Sequence, residues 1–236
     1  MKIDALVPCT RPERLIDALE DINSQSTPVD SILVVDNGEH EKKNRLIDYK
    51  PLSWWRQTYP NLILWRFGKN IGTNAAWNIG LRSESDFIMF FPDDMRFDHH
   101  FVKKAVYCFQ DPRVVVVSAR IIEWGEELPK NKENDYQRKR ACGHGKAGVF
   151  MMRGTYARHL PLIPEEYFIF FGDDWIDFHV RKKSRLIWTE LTHSCARHDY
   201  GSGVSAELKK TVLREERKHW VKFLEEHNES CLSVRQ

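Results

Sequence analysis

Apolar and charged segments alternate along the first half of the chain. Lys2–Pro8 and Ser31–Asp36 are short apolar runs typical of buried strands, and Arg11–Asn23 between them carries apolar residues at helical spacing. The same pattern predicts further strands at Leu62–Phe67, Phe87–Phe91 and Val114–Ser118. It also predicts a helix at Asn74–Arg82, with Thr73 or Asn74 as its N-cap. Nearly continuous apolar strands that alternate with helices predict an α/β fold with a mixed, mainly parallel sheet flanked by helices on both faces.

The pattern changes after Ile122. Glu123–His144 is polar and strongly charged and is predicted to be a long loop. Beyond it we expect strands at Ala147–Met152 and Arg185–Glu190. Helices are expected at Trp175–Lys183 and Ala206–His227. The prediction is one domain over residues 1–203, with halves at 1–120 and 121–203, followed by a C-terminal helical extension at 204–236.

Composition narrows the class of protein. A chain of 236 residues can bury a substantial core, and 42% hydrophobic with 30% charged residues is typical of a soluble globular protein. Basic residues exceed acidic ones by two (36 against 34), which argues against a generally cationic surface for nucleic acid. The cysteines are scattered and number five, which favours a reducing compartment over a disulfide framework.

The N-terminal segment and the apolar runs predict the location. The chain turns polar within its first ten residues, too early for a signal peptide. No apolar run approaches the roughly 20 residues that span a bilayer. We expect a cytoplasmic protein without a transmembrane segment.

Polar residues follow the predicted strands of the first half. In open parallel sheets, ligands bind beyond the carboxyl ends of the strands. Pro8–Arg11, Asp36-Asn37, Lys69–Asn74 and the pair Asp93-Asp94 should therefore meet at one rim. For Asp36, a turn before Asn37-Gly38 and a ligand contact are both open. The segment GTNAAWNIG matches neither the dinucleotide fingerprint nor the Walker phosphate loop.

Asp93 and Asp94 end an apolar run, Phe87–Phe91, that should be buried. A single acid there could cap the next helix, but Asp98 is the better N-cap for it. Both earlier acids are then left for another task. Carboxylate oxygens suit Mg²⁺ or Mn²⁺, and such a cation commonly holds a diphosphate.

A second acidic pair, Asp173-Asp174, follows the aromatic segment Tyr167–Phe171. One acid could cap the following helix, and the other could lie in its first turn, where the helix dipole favours a negative charge. Alternatively, aromatic shielding would raise the basicity of a carboxylate and make it a general base. Both interpretations stand on the residues alone. The spacing of histidine and cysteine around His198 is not that of a zinc site. His198 is then either an exposed loop histidine or a further ligand of the metal.

These segments, in this order, resemble the inverting family-two glycosyltransferases of the GT-A fold, a Rossmann-like α/β fold. The resemblance covers roughly residues 3–203. It rests on these segments: LVPCTRPERLIDALEDINSQ, ILVVDNGEH, NIGTNAAWNIGL, FIMFFPDD, GVFMMRG followed by EEYFIFFGDD, and RHDYGSG. The sequence departs from the family pattern at Pro92 in place of the first acid of Asp-x-Asp, at Trp77 where Arg is common, and at Ile176 where Asp is frequent.

The resemblance implies a role for each candidate residue. Asp36 would contact the base or ribose of a uridine-type nucleotide. The other donor-binding positions would be Pro8, Thr10, Arg11, Asn70, Gly72 and Asp93. Asp94 would bind the metal, with His198 adding a ligand. Asp174 would be the general base, with Asp173 in place of the family's Glu.

The implied activity is metal-dependent, inverting transfer of a sugar from a nucleoside diphosphate, UDP being expected, to an acceptor hydroxyl. A glycan is the preferred acceptor. A hydroxylated base in DNA is an alternative because KNKENDYQRKR is a basic segment on the predicted acceptor side. A nucleotidyltransferase and a non-catalytic nucleotide-sugar-binding module are further alternatives.

Overall fold

The computed structural model describes residues 1–38, 45–122, 126, 133–140, 148–198 and 206–229. Within them, one mixed sheet of nine strands has the order β3-β2-β1-β4-β8-β6-β9-β5, with β7 paired to β9. The strands are β1 Ile3–Cys9, β2 Ser31–Asp36, β3 Leu62–Arg66, β4 Phe87–Phe90, β5 Met95–Phe97, β6 Val114–Ile122, β7 Arg138–Arg140, β8 Phe150–Arg153 and β9 Ile187–His198.

Helices connect these strands. They are α1 Pro12–Asn23, α2 Leu46–Tyr49, α3 Leu52–Thr58, α4 Thr73–Gly80, α5 Phe101–Cys108, α6 Gly154–Ala157, α7 Gly172–Asp177 and α8 Ala206–Glu226. A π-helix, Phe178–Lys183, continues directly from α7. No helix in the described ranges is long and apolar enough to cross a membrane.

Strand direction divides the sheet. The pairs β1–β2, β2–β3 and β1–β4 are parallel, as is β6–β9. Antiparallel β8 lies between β4 and β6, and β5 and β7 pair antiparallel with β9. The predicted mixed α/β class is confirmed, although parallel pairing is confined mainly to the first half. The carboxyl ends of β1, β2, β3 and β4 therefore point to one rim of the sheet.

A separate hydrophobic core covers each face of the sheet. Side chains of successive strand residues point to opposite faces, so Ala5 and Val7 of β1 join one core and Leu6 joins the other. The first core includes residues of α1, α3 and α5, and the second includes residues of α4, α7 and α8. The predicted cover on both faces is confirmed.

The second half differs from the prediction in three elements. The predicted loop Glu123–His144 contains strand β7, and much of that segment lies outside the described residues. The predicted strand Arg185–Glu190 continues to His198 because its far half pairs with β5 and β6. The predicted helix Trp175–Lys183 begins earlier, at Gly172, and its second half is the π-helix.

Two predicted helix caps also differ. The N-cap of α4 is Gly72, with φ at +85°, rather than Thr73 or Asn74. The N-cap of α5 is His100 rather than Asp98. Asp98 lies two residues earlier, where its Oδ1 accepts the His100 N–H at 3.1 Å.

Asp98 also forms a buried ion pair. Its Oδ2 lies 2.9 Å from Lys104 Nζ, and the Ser194 hydroxyl donates to the same oxygen at 2.7 Å. The side chains of Lys104 and Asp98 are 0% and 5% exposed. The pair ties the start of α5 to β9, and removing either charge would leave the other without compensation in the core.

We expect Lys104→Met to lower the free energy of unfolding by about 3–5 kcal/mol, because it leaves the Asp98 carboxylate buried without its partner. Urea denaturation followed by circular dichroism measures the change. The control is Lys103→Met, which removes a partner of Glu133 at the surface and should cost below about 1 kcal/mol. Equal losses in the two variants would contradict the prediction.

Candidate functional site

Asp93 closes the end of β1. Because β4 lies beside β1, its continuation places the Asp93 Oδ2 where it accepts the backbone N–H groups of Thr10 at 3.0 Å and Arg11 at 3.3 Å. The buried Cys9 thiol also donates to this carboxylate. Burial, followed by repulsion from Asp94, raises the pKa of Asp93 to about 6. Asp93 thus has a structural task that sequence reasoning did not find.

Asp36 is almost fully buried at the end of β2. Its Oδ1 accepts the Gly38 N–H at 3.1 Å, and its Oδ2 accepts the Leu46 N–H at 3.3 Å and lies 3.5 Å from Arg66 Nε. Burial raises the pKa of Asp36, and these donors oppose that rise. The turn-forming interpretation of Asp36 is confirmed by the Gly38 contact. Its contact with a nucleotide stays a prediction.

Asn37 connects the next two strand ends. Its backbone N–H donates to the Cys9 carbonyl at 2.7 Å. Its side-chain amide donates to the Gly72 carbonyl at 3.3 Å and accepts the Ile71 N–H at 3.3 Å. Asn70 Oδ1 accepts the Gly72 N–H at 2.8 Å and shapes the same turn. The ends of β1 and β2 and the segment before α4 are therefore joined by direct hydrogen bonds.

Asn74 extends this network to the second half of the chain. The side chain is 1% exposed, and its amide nitrogen donates to the carbonyls of Tyr167 at 2.9 Å and Phe170 at 2.8 Å. A Cβ added to Gly172 would lie 2.0 Å from Asn74 Oδ1, so only glycine fits the first position of α7. The approach of Asn74 thereby fixes where α7 begins.

The second acidic pair lies in the first turn of α7. Asp174 is 5% exposed, and its backbone N–H donates to Asp173 Oδ1 at 3.1 Å. The N-cap of α7 is Phe171, in the left-handed conformation (φ +61°). The prediction that one of the two acids could cap this helix is therefore wrong. Both acids lie where the helix dipole favours negative charge.

Asp94 is half-buried beside Asp93 at the end of β4. The next residue, Met95, begins β5, and the antiparallel register pairs Met95 with His198 of β9. The backbone of His198 thus lies opposite the residue that follows Asp94; its side chain lies outside the described part of the chain. Among the described residues, no group of three or more His, Cys, Asp or Glu side chains is arranged to hold a metal.

The residues at this strand end nevertheless fit a hard divalent cation. Burial first and then repulsion from the adjacent Asp94 raise the pKa of Asp93, and a bound cation would relieve that repulsion. Their oxygens are the donors that Mg²⁺ and Mn²⁺ prefer.

The remaining predicted positions belong to the same rim. Pro8 is buried in β1 and pairs in register with Val35. A cavity of about 330 Å³ adjoins the rim, and its lining includes Lys69, Asn70, Glu165 and Tyr167. Hydrogen bonds run from Asp93 through the ends of β1 and β2 to Asn74 and the start of α7. The structure thus brings the predicted segments together.

Comparison with known proteins identifies the family. The model described as "Glycosyl transferase family 2" matches residues 6–173, well over half of the chain. The chain belongs to glycosyl transferase family 2. A search of curated proteins finds no match.

Solved structures share the fold of this family-2 chain. GalNAc-T7 with UDP, GalNAc and Mn²⁺ superposes with a TM-score of 0.66 at 12% identity over 96% of this chain and 55% of its own. The mannosyltransferase PcManGT from Pyrobaculum calidifontis, in complex with GDP-Man and Mn²⁺, gives 0.66 at 15% identity over 95% and 64%. TarS from S. aureus gives 0.62 at 15% identity over 95% and 66%. The chain spans between about half and two-thirds of these proteins. Their fold is the GT-A fold expected for it.

One departure from the family pattern has a packing explanation. Trp77, where Arg is common, is 6% exposed and makes edge contacts with Phe90 and Phe150, whose rings stack at 4.7 Å. The side chain belongs to the second core, between α4 and the sheet. In this chain the position is therefore an uncharged part of the hydrophobic core.

Gly72 provides a test of how tightly the rim is packed. A Cβ at Gly72 would lie 2.4 Å from the Phe168 carbonyl oxygen, whereas a Cβ at Gly68 (φ +74°) meets nothing within 4 Å. We expect Gly68→Ala to cost ~1–2 kcal/mol for its left-handed backbone. Gly72→Ala carries a backbone cost at least as large, because φ +85° with ψ 164° is adopted essentially by glycine alone, and it should lose a further ~1–3 kcal/mol from overpacking. Urea denaturation of both variants measures the difference, and equal losses would show that the contact relaxes freely.

Proposed function

We propose that this protein is a metal-dependent, inverting glycosyltransferase that uses a nucleoside-diphosphate sugar. The observation that carries the proposal is a set of hydrogen bonds, through Asn37 and Asn74, that link Asp93 and the ends of β1 and β2 to the 167–170 loop just before α7, the helix that carries Asp173 and Asp174. On this proposal, the two acidic groups lie at separate positions around one site. A sugar held between them could meet a leaving group on one side and a nucleophile on the other.

The donor half of the rim would bind the nucleotide. Asp36 would accept a hydrogen bond from the base or ribose, with Thr10, Asn70 and Gly72 beside it. Arg66, which lies against Asp36, adds a positive charge that sequence reasoning missed. Asp94, with His198, would hold Mn²⁺ or Mg²⁺, which when bound offsets the negative charge that grows on the departing diphosphate.

Asp174 would act as the general base. Its carboxylate would take the proton of the acceptor hydroxyl as that oxygen attacks the anomeric carbon. Asp174 and its neighbours Phe171 and Trp175 are all buried. A single displacement at the anomeric carbon inverts its configuration, so the inverting mechanism follows from a base that faces the leaving group across the sugar.

Solved proteins of the same fold support the use of a nucleotide sugar and a metal. GalNAc-T7 was crystallised with UDP and Mn²⁺, TarS with UDP, and PcManGT with GDP-Man and Mn²⁺. Two of these three carry UDP, and UDP is the donor nucleotide that we propose. The cytoplasmic location expected for the chain stays a prediction.

A glycan hydroxyl is the acceptor we favour over a DNA base. Of the basic segment, residues 133–140 lie in the described part of the chain. There Lys139 pairs with Glu190 at 2.9 Å, and Arg138 donates to the Cys108 carbonyl at 3.3 Å. These side chains are engaged within the protein, and a bound DNA backbone would have to compete for them.

The direct test incubates the protein with a panel of nucleotide sugars and Mn²⁺ and measures free nucleoside diphosphate. Release of nucleoside diphosphate from one donor supports a glycosyltransferase. Release of pyrophosphate from a sugar phosphate and a nucleoside triphosphate would instead support a nucleotidyltransferase. Binding of nucleotide sugar without turnover, with any acceptor in the panel, would support the non-catalytic module.

We expect Asp174→Asn to lower kcat by about 10²–10⁴-fold, because the amide cannot accept the proton of the acceptor hydroxyl. Nucleotide affinity, measured by calorimetry, should not change. Asp177→Asn is the matched control on the same helix, since Asp177 pairs with Arg181 within the chain. Full activity in Asp174→Asn would remove Asp174 from the mechanism.

We expect Asp94→Asn to weaken Mn²⁺-dependent nucleotide binding by at least about 10-fold, because it replaces a charged metal ligand. Titration of Mn²⁺ by electron paramagnetic resonance, with and without UDP, measures the effect. Asp111→Asn is the control, because Asp111 pairs with Arg113 far along the chain from the rim. Unchanged Mn²⁺ affinity in Asp94→Asn would place the cation elsewhere.

A further inference from the structure

A glutamate of the C-terminal helix reaches the loop that precedes the proposed base. Glu216 of α8 is 3% exposed, although it belongs to a helix whose other glutamates are mostly at the surface. Its Oε1 accepts the backbone N–H groups of Phe168 and Ile169, each at 3.0 Å, and its Oε2 accepts that of Phe170 at 2.7 Å. One carboxylate therefore satisfies three consecutive backbone donors.

These contacts are of the strong kind. Hydrogen bonds to an ionised acceptor are about twice as strong as neutral ones. Consecutive N–H groups that converge on one point form a natural anion site, and here the protein fills that site with its own side chain. Burial raises the pKa of Glu216, and the three backbone donors oppose that rise.

The opposite side of the same loop is bonded to α4. Asn74 donates to the carbonyls of Tyr167 and Phe170, and its backbone N–H donates to the Phe168 carbonyl at 3.4 Å. The loop is thus held through its N–H groups by α8 and through its carbonyls by α4. Phe171 follows in the left-handed conformation, and α7 with Asp174 begins at the next residue.

We propose that Glu216 is a positioning residue for catalysis, which acts by fixing the 167–171 loop so that Asp174 lies at its working position. The proposal rests on the function proposed above. Glu216 does not touch the reacting atoms on this view. It sets the geometry of the base through the loop backbone, and a displacement of about 1 Å at a reacting group can lower a rate by about 10²-fold.

Glu216→Gln is the informative variant because it changes one acceptor oxygen to a donor nitrogen without changing the size of the side chain. At least one of the three N–H groups would then face another donor. We expect kcat to fall by about 100-fold, whereas the Kd for UDP with Mn²⁺ should match that of the wild type. Glu215→Gln is the matched control, because the neighbouring Glu215 is exposed and bonds to Lys218.

Hydrogen exchange separates positioning from general stability. In Glu216→Gln, the amides of Phe168–Phe170 should exchange faster, while amides of β1 and β4 keep their wild-type protection. Glu216→Asp, which keeps the charge but shortens its reach, provides a second variant should Glu216→Gln not fold, and it should show a smaller effect of the same kind.

The outcomes are distinct. Loss of kcat with local loss of protection supports the proposal. Wild-type kcat in both Glu216 variants would overturn it, as would faster exchange spread over the whole sheet. Should the wild-type protein release no nucleoside diphosphate from any donor, the proposed function fails. The exchange measurement would then still decide whether Glu216 holds the loop, and unchanged protection at Phe168–Phe170 would show that it does not.

Discussion

The hydrogen bonds that hold the Tyr167–Phe170 loop join the two halves of this protein. The loop lies between α4 and α8; Tyr167 is buried, Phe168 is 38% exposed, and Ile169 and Phe170 are half-buried. Asn74 provides donors for the carbonyls and Glu216 provides acceptors for the N–H groups. A buried polar group without a partner costs about 1–3 kcal/mol, so loss of either residue would affect several groups together. The hydrogen bonds from Asn74 and those to Glu216 hold the loop backbone in the same arrangement.

Much of the first half could be predicted from sequence, because its strands are local and nearly continuous in apolar character. The end of β2 at Asp36 agrees with the prediction to the residue, and the ends of β1 and β4 differ from it by one. The second half could not be predicted as well, since β7 and the far half of β9 exist through long-range pairing. Arg138–Arg140 is an exposed basic run whose strand character comes from its partner strand and not from its own residues.

The acidic residues of the candidate site could be picked out from the sequence, but the hydrogen bonds that connect its segments could not. Strand ends and acidic pairs are visible in a sequence, and the resemblance assigned their roles. Asn37 and Asn74 were expected near the rim, but their connecting role was not predicted, because an asparagine after a strand or at the start of a helix has many ordinary uses. One feature of the sequence could have pointed to Glu216. This residue interrupts the apolar stripe that runs through Val212, Trp220 and Leu224 at four-residue spacing, and a charged residue in a buried stripe needs a buried partner.

The adjacent acids Asp93 and Asp94 illustrate how one short motif divides its tasks. Asp93 accepts hydrogen bonds from the chain after β1, so its charge is used to hold two strand ends together. With Pro92 in place of the preceding acid, Asp93 and Asp94 are the carboxylates at this strand end. Asp94 is the metal ligand that we propose, and it directly precedes β5, whose Met95 pairs with His198. On the proposal for Glu216, α8 belongs to the functional unit, because its carboxylate accepts three backbone N–H groups of the loop that leads to Asp174.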